Sequence, residues 1–171
     1  MNYYTFKRGS VILADFSPQV GSEIKGKHFA IVLTKKDRST NELLTIVPLT
    51  SKYHKYHLDL EDTIKKSIYN EIYLNLQNVL ESISRWTEET SLDEINETNT
   101  KLELCNQVSF RYHKLKEHTY AKVHQITTIS KKRILKPVNQ YDPIRKLTVT
   151  NEVMDMIDKK FIELFTKVDI K

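Results

Sequence analysis

The sequence predicts an α+β domain: five or so short strands in a small, strongly bent sheet or barrel, a closing C-terminal helix, and a helical hairpin inserted between strands. Three observations predict it. Short apolar runs bounded by turn formers open the chain, the apolar period then changes from that of strands to that of helices for about fifty residues, and short runs return before a last amphipathic stretch. Strand-to-strand connections normally take about 2–5 residues, so a connection of roughly sixty must carry structure of its own.

The first strands fall at residues 9–16 (GSVILADF, ended by Ser17-Pro18), 28–34 (HFAIVLT, ended by Lys35-Lys36-Asp37) and 43–50 (LLTIVPLT). Pro48 has no N–H for a ladder, so it belongs at an edge, a bulge or near the strand end. Ile64, Ile68, Ile72, Leu76, Leu80 and Ile83 recur every three or four residues, on one stripe of a helix of about 22 residues and roughly 33 Å. Trp86 and the TEETS segment turn the chain, and Leu92, Ile95, Leu102, Cys105, Tyr112 and Leu115 mark a second, less regular helix antiparallel to the first. Residues 120–126 (YAKVHQI) read as a strand, 130–134 as one helical turn, and Leu135 to Val138 as a last strand. Thr150 is placed to N-cap a closing helix whose core stripe is Val153, Met154, Ile157, Phe161, Leu164 and Phe165. The organisation expected is one domain over residues 1–171 with the hairpin inserted at about 62–116.

Composition excludes several classes. With Gly 3, Pro 4 and Cys 1, the chain is neither collagenous, low-complexity nor stapled by disulfides. The start, MNYYTFKRGS, lacks the apolar core of a signal peptide, and no apolar run approaches the roughly 18 residues of a membrane-spanning helix. A cytoplasmic, soluble protein is expected, with Cys105 a small buried hydrophobe in a reducing compartment. Charge is uneven: the net is +5, but residues 58–117 hold 7 basic and 12 acidic side chains, which leaves the other 111 residues at +10. A basic body points to a polyanion, nucleic acid first, while an acidic middle suggests a different partner. The hairpin has three possible uses: a lid over the basic surface, an extended dimer interface, or a docking surface.

Gly21-Ser-Glu-Ile-Lys-Gly26-Lys27 has the spacing of a phosphate-binding P-loop, but the context is wrong. His28 stands where Ser or Thr would hold magnesium, and residues 29–33 read as a strand where a helix should begin. The same residues fit another pattern. Arg8-Gly9, Val11 to Phe16, Gly21-Ser22-Glu23 through Gly26-Lys27-His28, Ala30 to Leu33, Pro48-Leu49-Thr50-Ser51 and Gln125 through Ile129 to Arg133 together resemble the MazF/PemK family of type II toxin endoribonucleases. The resemblance runs in order through the body and skips the hairpin. It implies a small SH3-like β-barrel of the MazF/PemK/CcdB type, a homodimer, cleavage of single-stranded RNA without metal or other cofactor, and neutralisation by a cognate antitoxin protein.

The family's first loop usually reads Gly-Ser-Glu-Gln-x-Gly-x-Arg-Pro with the Arg catalytic, and this chain has His28-Phe29 at Arg-Pro. A family Ser or Thr after the third strand is matched by Thr50, with Ser51 beside it; the positions around the family Gln, here Gln125, carry Lys122 and His124. RNA is cut without metal when its own 2′-hydroxyl attacks the adjacent phosphate, which needs a base, an acid and cations for the phosphorane. A histidine of pKa about 6.5 is roughly one-quarter protonated at pH 7, so a pair supplies both proton roles. The expected catalytic residues are therefore His28, His124, Lys122 and Thr50, and the expected substrate-binding residues Glu23, Lys27, Ser51 and Gln125. His54, His57, His113 and His118 are read as surface or structural residues, and no Cys or acidic partner completes a zinc spacing around them. Tyr3, Tyr4, Tyr53 and Tyr56, next to Lys and Arg, suit stacking on unpaired bases or a half-buried wall. A second reading stays open: a non-catalytic RNA- or protein-binding module of the same family, such as a gyrase poison. The change at His28-Phe29 favours it, whereas retention of Glu23, Thr50, Ser51 and Gln125 favours cleavage.

Overall fold

The computed structural model describes residues 2–17 and 24–167. Glu23, one of the expected substrate-binding residues, lies outside them. Three strands carry the sheet: β1 (Val11–Asp15), β2 (Lys27–Val32) and β3 (Leu43–Thr50), joined antiparallel with Ala14 opposite His28 and Ala30 opposite both Ile12 and Pro48. Two-residue strands β4 (Leu58–Asp59) and β5 (Tyr120–Ala121) extend one end, and β6 (Thr127–Ser130) pairs with the other end of β3.

The alternation along β1 to β3 assigns the two faces. Val11, Ile31, Val47 and Leu49 enter one apolar cluster with Ile64, Ile68, Ile72, Val108, Tyr112 and Ile157 from the helices. Ile12, Ala14, Ala30, Val32, Leu44 and Ile46 enter another with Phe16, Ile24 and Ile129. Pro48 sits where β3 changes partner, from β6 at residues 43–46 to β5 at residues 49–50, so its missing N–H interrupts no ladder.

The expected barrel is not what forms. Strand order is β1-β2-β3-β5-β4 with β6 branching from β3, an open, uncurled antiparallel sheet. Closure needs strands long enough to tilt and stagger into a continuous ladder, and β4 and β5 have two residues each. The segment expected as a last strand, Leu135 to Val138, joins β1 only through a bridge between Ala14 and Ile134 and the Leu135 N–H donating to the Leu13 carbonyl (2.8 Å). Residues 123–125, expected as strand, form a 3₁₀ turn; the helical turn expected over 130–134 forms at Lys131–Arg133 with Ser130 as its cap, and β6 just before it was not expected.

Helices α1 (Thr63–Ser84) and α2 (Leu92–Tyr112) pack on each other, and Ser91 caps α2 by accepting from the Glu94 N–H (3.2 Å). Their near ends are fixed to the sheet. Asp142, fully buried, accepts from Tyr112 Oη (2.5 Å), Arg111 Nη1 (3.0 Å) and the Val138 and Ile144 N–H groups (2.8 and 3.1 Å). Helix α3 (Asn151–Phe165), capped by Thr150, closes the chain with Met154 and Ile157 buried. Among the described residues no helix is long and apolar enough to cross a membrane.

Candidate nucleic-acid interface

The β2–β3 register, continued two residues past the Ala30–Pro48 pair, sets His28 beside Thr50, and Thr50 is paired on its other side with Tyr120 of β5. Residues directly opposite in a ladder share a face. His28 and Thr50, with Lys27 and Ser51, line one cleft of about 190 Å³. Leu13, Phe29 and Leu49 add an apolar floor from the sheet, and the near end of the hairpin adds Ile64, Lys65, Lys114, Leu115, Lys116 and His118. All four expected site residues border the cleft, but the alternation sets the His28 and Thr50 side chains on the sheet face of Ala14 and Phe16, opposite the face of Phe29, Leu49 and Ile64 that the hairpin covers. His28 is held by its Nε2 at 2.9 Å from the Lys25 carbonyl; since the carbonyl can only accept, Nε2 carries the proton and Nδ1 is the nitrogen left for proton exchange. Phe16 meets the ring edge to face at 6.3 Å.

Lys122, His124 and Gln125 do not line this cleft. They lie at the 3₁₀ turn after β5, on the far side of β3 from β2, and no ring contact joins His28 to His124 among the described residues. His124 instead belongs to a cluster absent from the sequence reading. It stacks on His57 (centroids 5.2 Å, 15° between planes), and His54 is 5.2 Å from His57 and 6.0 Å from His124. Tyr56 is 6.2 Å from His124, and Lys55 Nζ lies over the Tyr56 ring at 4.8 Å. Tyr120 connects this cluster to the cleft: it contacts His57 (6.5 Å), Tyr53 (5.9 Å) and His118 (6.3 Å), and His118 is itself a cleft residue.

Electrostatics in the cluster follow from burial among like charges. Burial pushes the His57 pKa below the ordinary histidine value, Lys122 and His54 push it further, and the bond to the Lys52 carbonyl (2.9 Å) opposes them. That bond fixes the proton on Nδ1 and leaves Nε2 free. His124 is lowered by burial, then by His57, Lys122 and His54, and burial also lowers Lys122. Both histidines are therefore neutral at pH 7, the form in which a ring nitrogen takes up a proton. His124 Nδ1 and Gln125 Oε1 are buried with no hydrogen-bond partner. Among the described residues no group of three or more His, Cys, Asp or Glu side chains is placed to hold a metal ion.

The sequence signal that would have found His57 and His118 is slight. Only the pairing of Leu58 with Ala121 and Asp59 with Tyr120 carries the His54-x-x-His57 loop to the stretch from His118 to His124. Tyr3 is elsewhere, donating to Glu42 (2.9 Å), and His113 bonds its own helix at the Phe110 carbonyl (2.5 Å).

Residues 7–85 match the PemK-like, MazF-like toxin family of type II toxin-antitoxin systems. The match spans just under half of the chain, from ahead of β1 to the end of α1. Lys27, His28, Thr50 and Ser51 fall inside it, as do His54 and His57; Lys122, His124 and Gln125 do not. The link to this toxin family therefore holds for the sheet's first half and for the cleft residues it supplies. No curated protein matches the chain.

Proposed function

We propose that the protein is the toxin of a type II toxin-antitoxin pair and cuts single-stranded RNA by metal-independent attack of the 2′-hydroxyl, acting in the cytoplasm as a homodimer that a cognate antitoxin protein restrains. The observation that carries this reading is the cleft: Lys27, His28, Thr50 and Ser51, all within the stretch that matches the toxin family, border it.

His124, neutral at pH 7 and flanked by cations, suits the base that removes the 2′-hydroxyl proton. As the 2′-oxygen bonds to phosphorus the P–O5′ bond breaks, and His28, protonated on its free Nδ1, gives the 5′-oxygen its proton. The products are a 2′,3′-cyclic phosphate and a 5′-hydroxyl, and the two histidines have exchanged protonation states. Lys122 and Lys27 stabilise the phosphorane charge, and Thr50, between His28 on β2 and Tyr120 on β5, hydrogen-bonds the phosphate with Ser51. Glu23 and Gln125 bind substrate. One observation favours the second reading, a non-catalytic RNA- or protein-binding module: His28 and His124 stand on opposite sides of β3 and share no contact.

The test incubates purified wild type and His28→Ala with a long single-stranded RNA in EDTA and maps the fragment ends. Cuts ending in 2′,3′-cyclic phosphate that disappear in the variant are expected. An RNA that stays intact while bound to wild type transfers the conclusion to the binding module.

A further inference from the structure

We infer that the near end of the helical hairpin is part of the substrate site, with Lys65, Lys114, Lys116 and His118 forming a wall that binds the phosphates of single-stranded nucleic acid. The inference deepens the ribonuclease reading and takes from it only the nature of the strand.

Three features carry it. The cleft that His28 and Thr50 border takes these four residues into its wall beside the apolar Leu13, Phe29, Leu49, Ile64 and Leu115, and no acidic residue lines it among the described residues. The carboxylates around it are at its rim: Glu117, 81% exposed, is 3.9 Å from Lys65 Nζ, a pair that water screens, and Asp15 stands opposite Lys27 on β1. Helix electrostatics do not explain the placement either. Lys114 and Lys116 follow the C-terminal end of α2, where positive charge is favourable, but Lys65 and Lys66 stand in the first turn of α1, just after the Glu61-Asp62 pair that precedes that helix. Three lysines and His118 therefore border one space with no carboxylate in its lining among the described residues, and an anion is the counter-charge that fits it.

The aromatic strip selects the class of anion. From the cleft, His118 stacks on Tyr120 (18° between planes), Tyr120 meets Tyr53, and Tyr53 is 76% exposed. Phosphates at the lysine wall and bases on these rings describe an unpaired strand, where an acidic peptide would use the lysines alone.

The experiment measures binding of a fluorescent 2′-O-methyl uridine 12-mer, which no 2′-hydroxyl attack can cut, between 50 and 300 mM NaCl. For single strands each phosphate contact contributes about 0.7 to the slope of log K against log salt. Lys114→Gln/Lys116→Gln should lower that slope by about 1.4, so the affinity lost between 50 and 200 mM salt shrinks about sevenfold. Lys→Arg at both positions should keep the slope, Lys159→Gln on α3 should leave it alone, and a 12-mer lacking its bases should bind more weakly. An unchanged slope in the Gln pair, no binding at 50 mM, or equal competition by a glutamate 12-mer overturns the inference. Binding with the expected slope but no cutting of ordinary RNA removes the ribonuclease reading and leaves this wall in place; cutting with an unchanged slope does the reverse.

Discussion

Asp142 ties the end of α2 to the segment 138–144, and removing its carboxylate should loosen both. Asp142→Ala takes the acceptor from four donors at once. Tyr112 is 2% exposed, so its hydroxyl stays buried with no partner, which costs about 1–3 kcal/mol. The Arg111 side chain, 17% exposed, loses its carboxylate, and breaking a buried pair on one side costs about 3–5 kcal/mol. Val138 is half exposed and its N–H finds water, so the whole change should lie near 3–5 kcal/mol, a large share of a typical domain's 5–15. Tyr112→Phe should cost about 1–2 kcal/mol. Because both act on one hydrogen bond, the double variant should fall short of the sum by about 0.5–3 kcal/mol. Urea unfolding followed by circular dichroism gives all three values. A loss under about 1 kcal/mol for Asp142→Ala, or strict additivity with Tyr112→Phe, refutes the anchor.

Other expectations follow from the same kind of count. Asp37 and Lys131 form a buried ion pair (2.8 Å, side chains 1% and 3% exposed); Asp37→Ala leaves the ammonium with only the Arg38 carbonyl and should cost about 3–5 kcal/mol in urea unfolding. His57 and His124 have lowered pKa values in the folded chain, so below pH 6.5 the unfolded chain binds more protons and stability should fall as pH drops. His57→Gln/His124→Gln should flatten the change in urea midpoint between pH 7.5 and 5; an equal drop in both proteins contradicts the cluster. The cleavage rate should likewise rise from pH 5 toward 6.5 as His124 deprotonates, and a flat profile would remove it as the base. Ser91→Ala removes the α2 cap and should cost about 0.5–2 kcal/mol in the same unfolding assay.

The elements long enough to show a period were legible. The isoleucines from Ile64 to Ile72 lie in the core as their spacing requires, and Thr150 caps α3. Local pattern misled where long-range pairing decides. Val123, His124 and Gln125 look like the continuation of a strand, but β5 stops after Ala121 because the next β3 position in this antiparallel register is Pro48, which accepts from the Lys122 N–H and has no N–H of its own to carry the ladder on. Thr127–Ser130 lack a long apolar run and still form β6, since β3 has a free edge at residues 43–46. The strand count left a bent sheet or a barrel open and the family resemblance implied the barrel, whereas closure depends on strand length and stagger, which short runs do not encode. At the site, His28, Thr50 and Ser51 were found through the resemblance to the toxin family, but His57 and His118 were missed because a lone histidine carries no signal until another strand brings its neighbours.

The charge of the hairpin has a simpler layout than a count over residues 58–117 suggests. Between residues 81 and 97 there are six acidic side chains and only Arg85 against them, which accounts for the whole −5; the remainder of the segment is balanced. The acidity therefore sits at the far tip, while the near end carries the cleft lysines. Lys65 and Glu81 are sixteen residues apart on α1, roughly 24 Å, or about three screening lengths at physiological salt. At that distance the tip neither neutralises the cleft nor covers it, so a lid role would require the hairpin to leave the contacts that Asp142 holds. Changing Glu88, Glu89, Asp93 and Glu94 to Gln should accordingly leave affinity for the 2′-O-methyl 12-mer within about twofold at 150 mM salt. A tenfold gain on neutralising the tip would show that it folds back onto the cleft in solution.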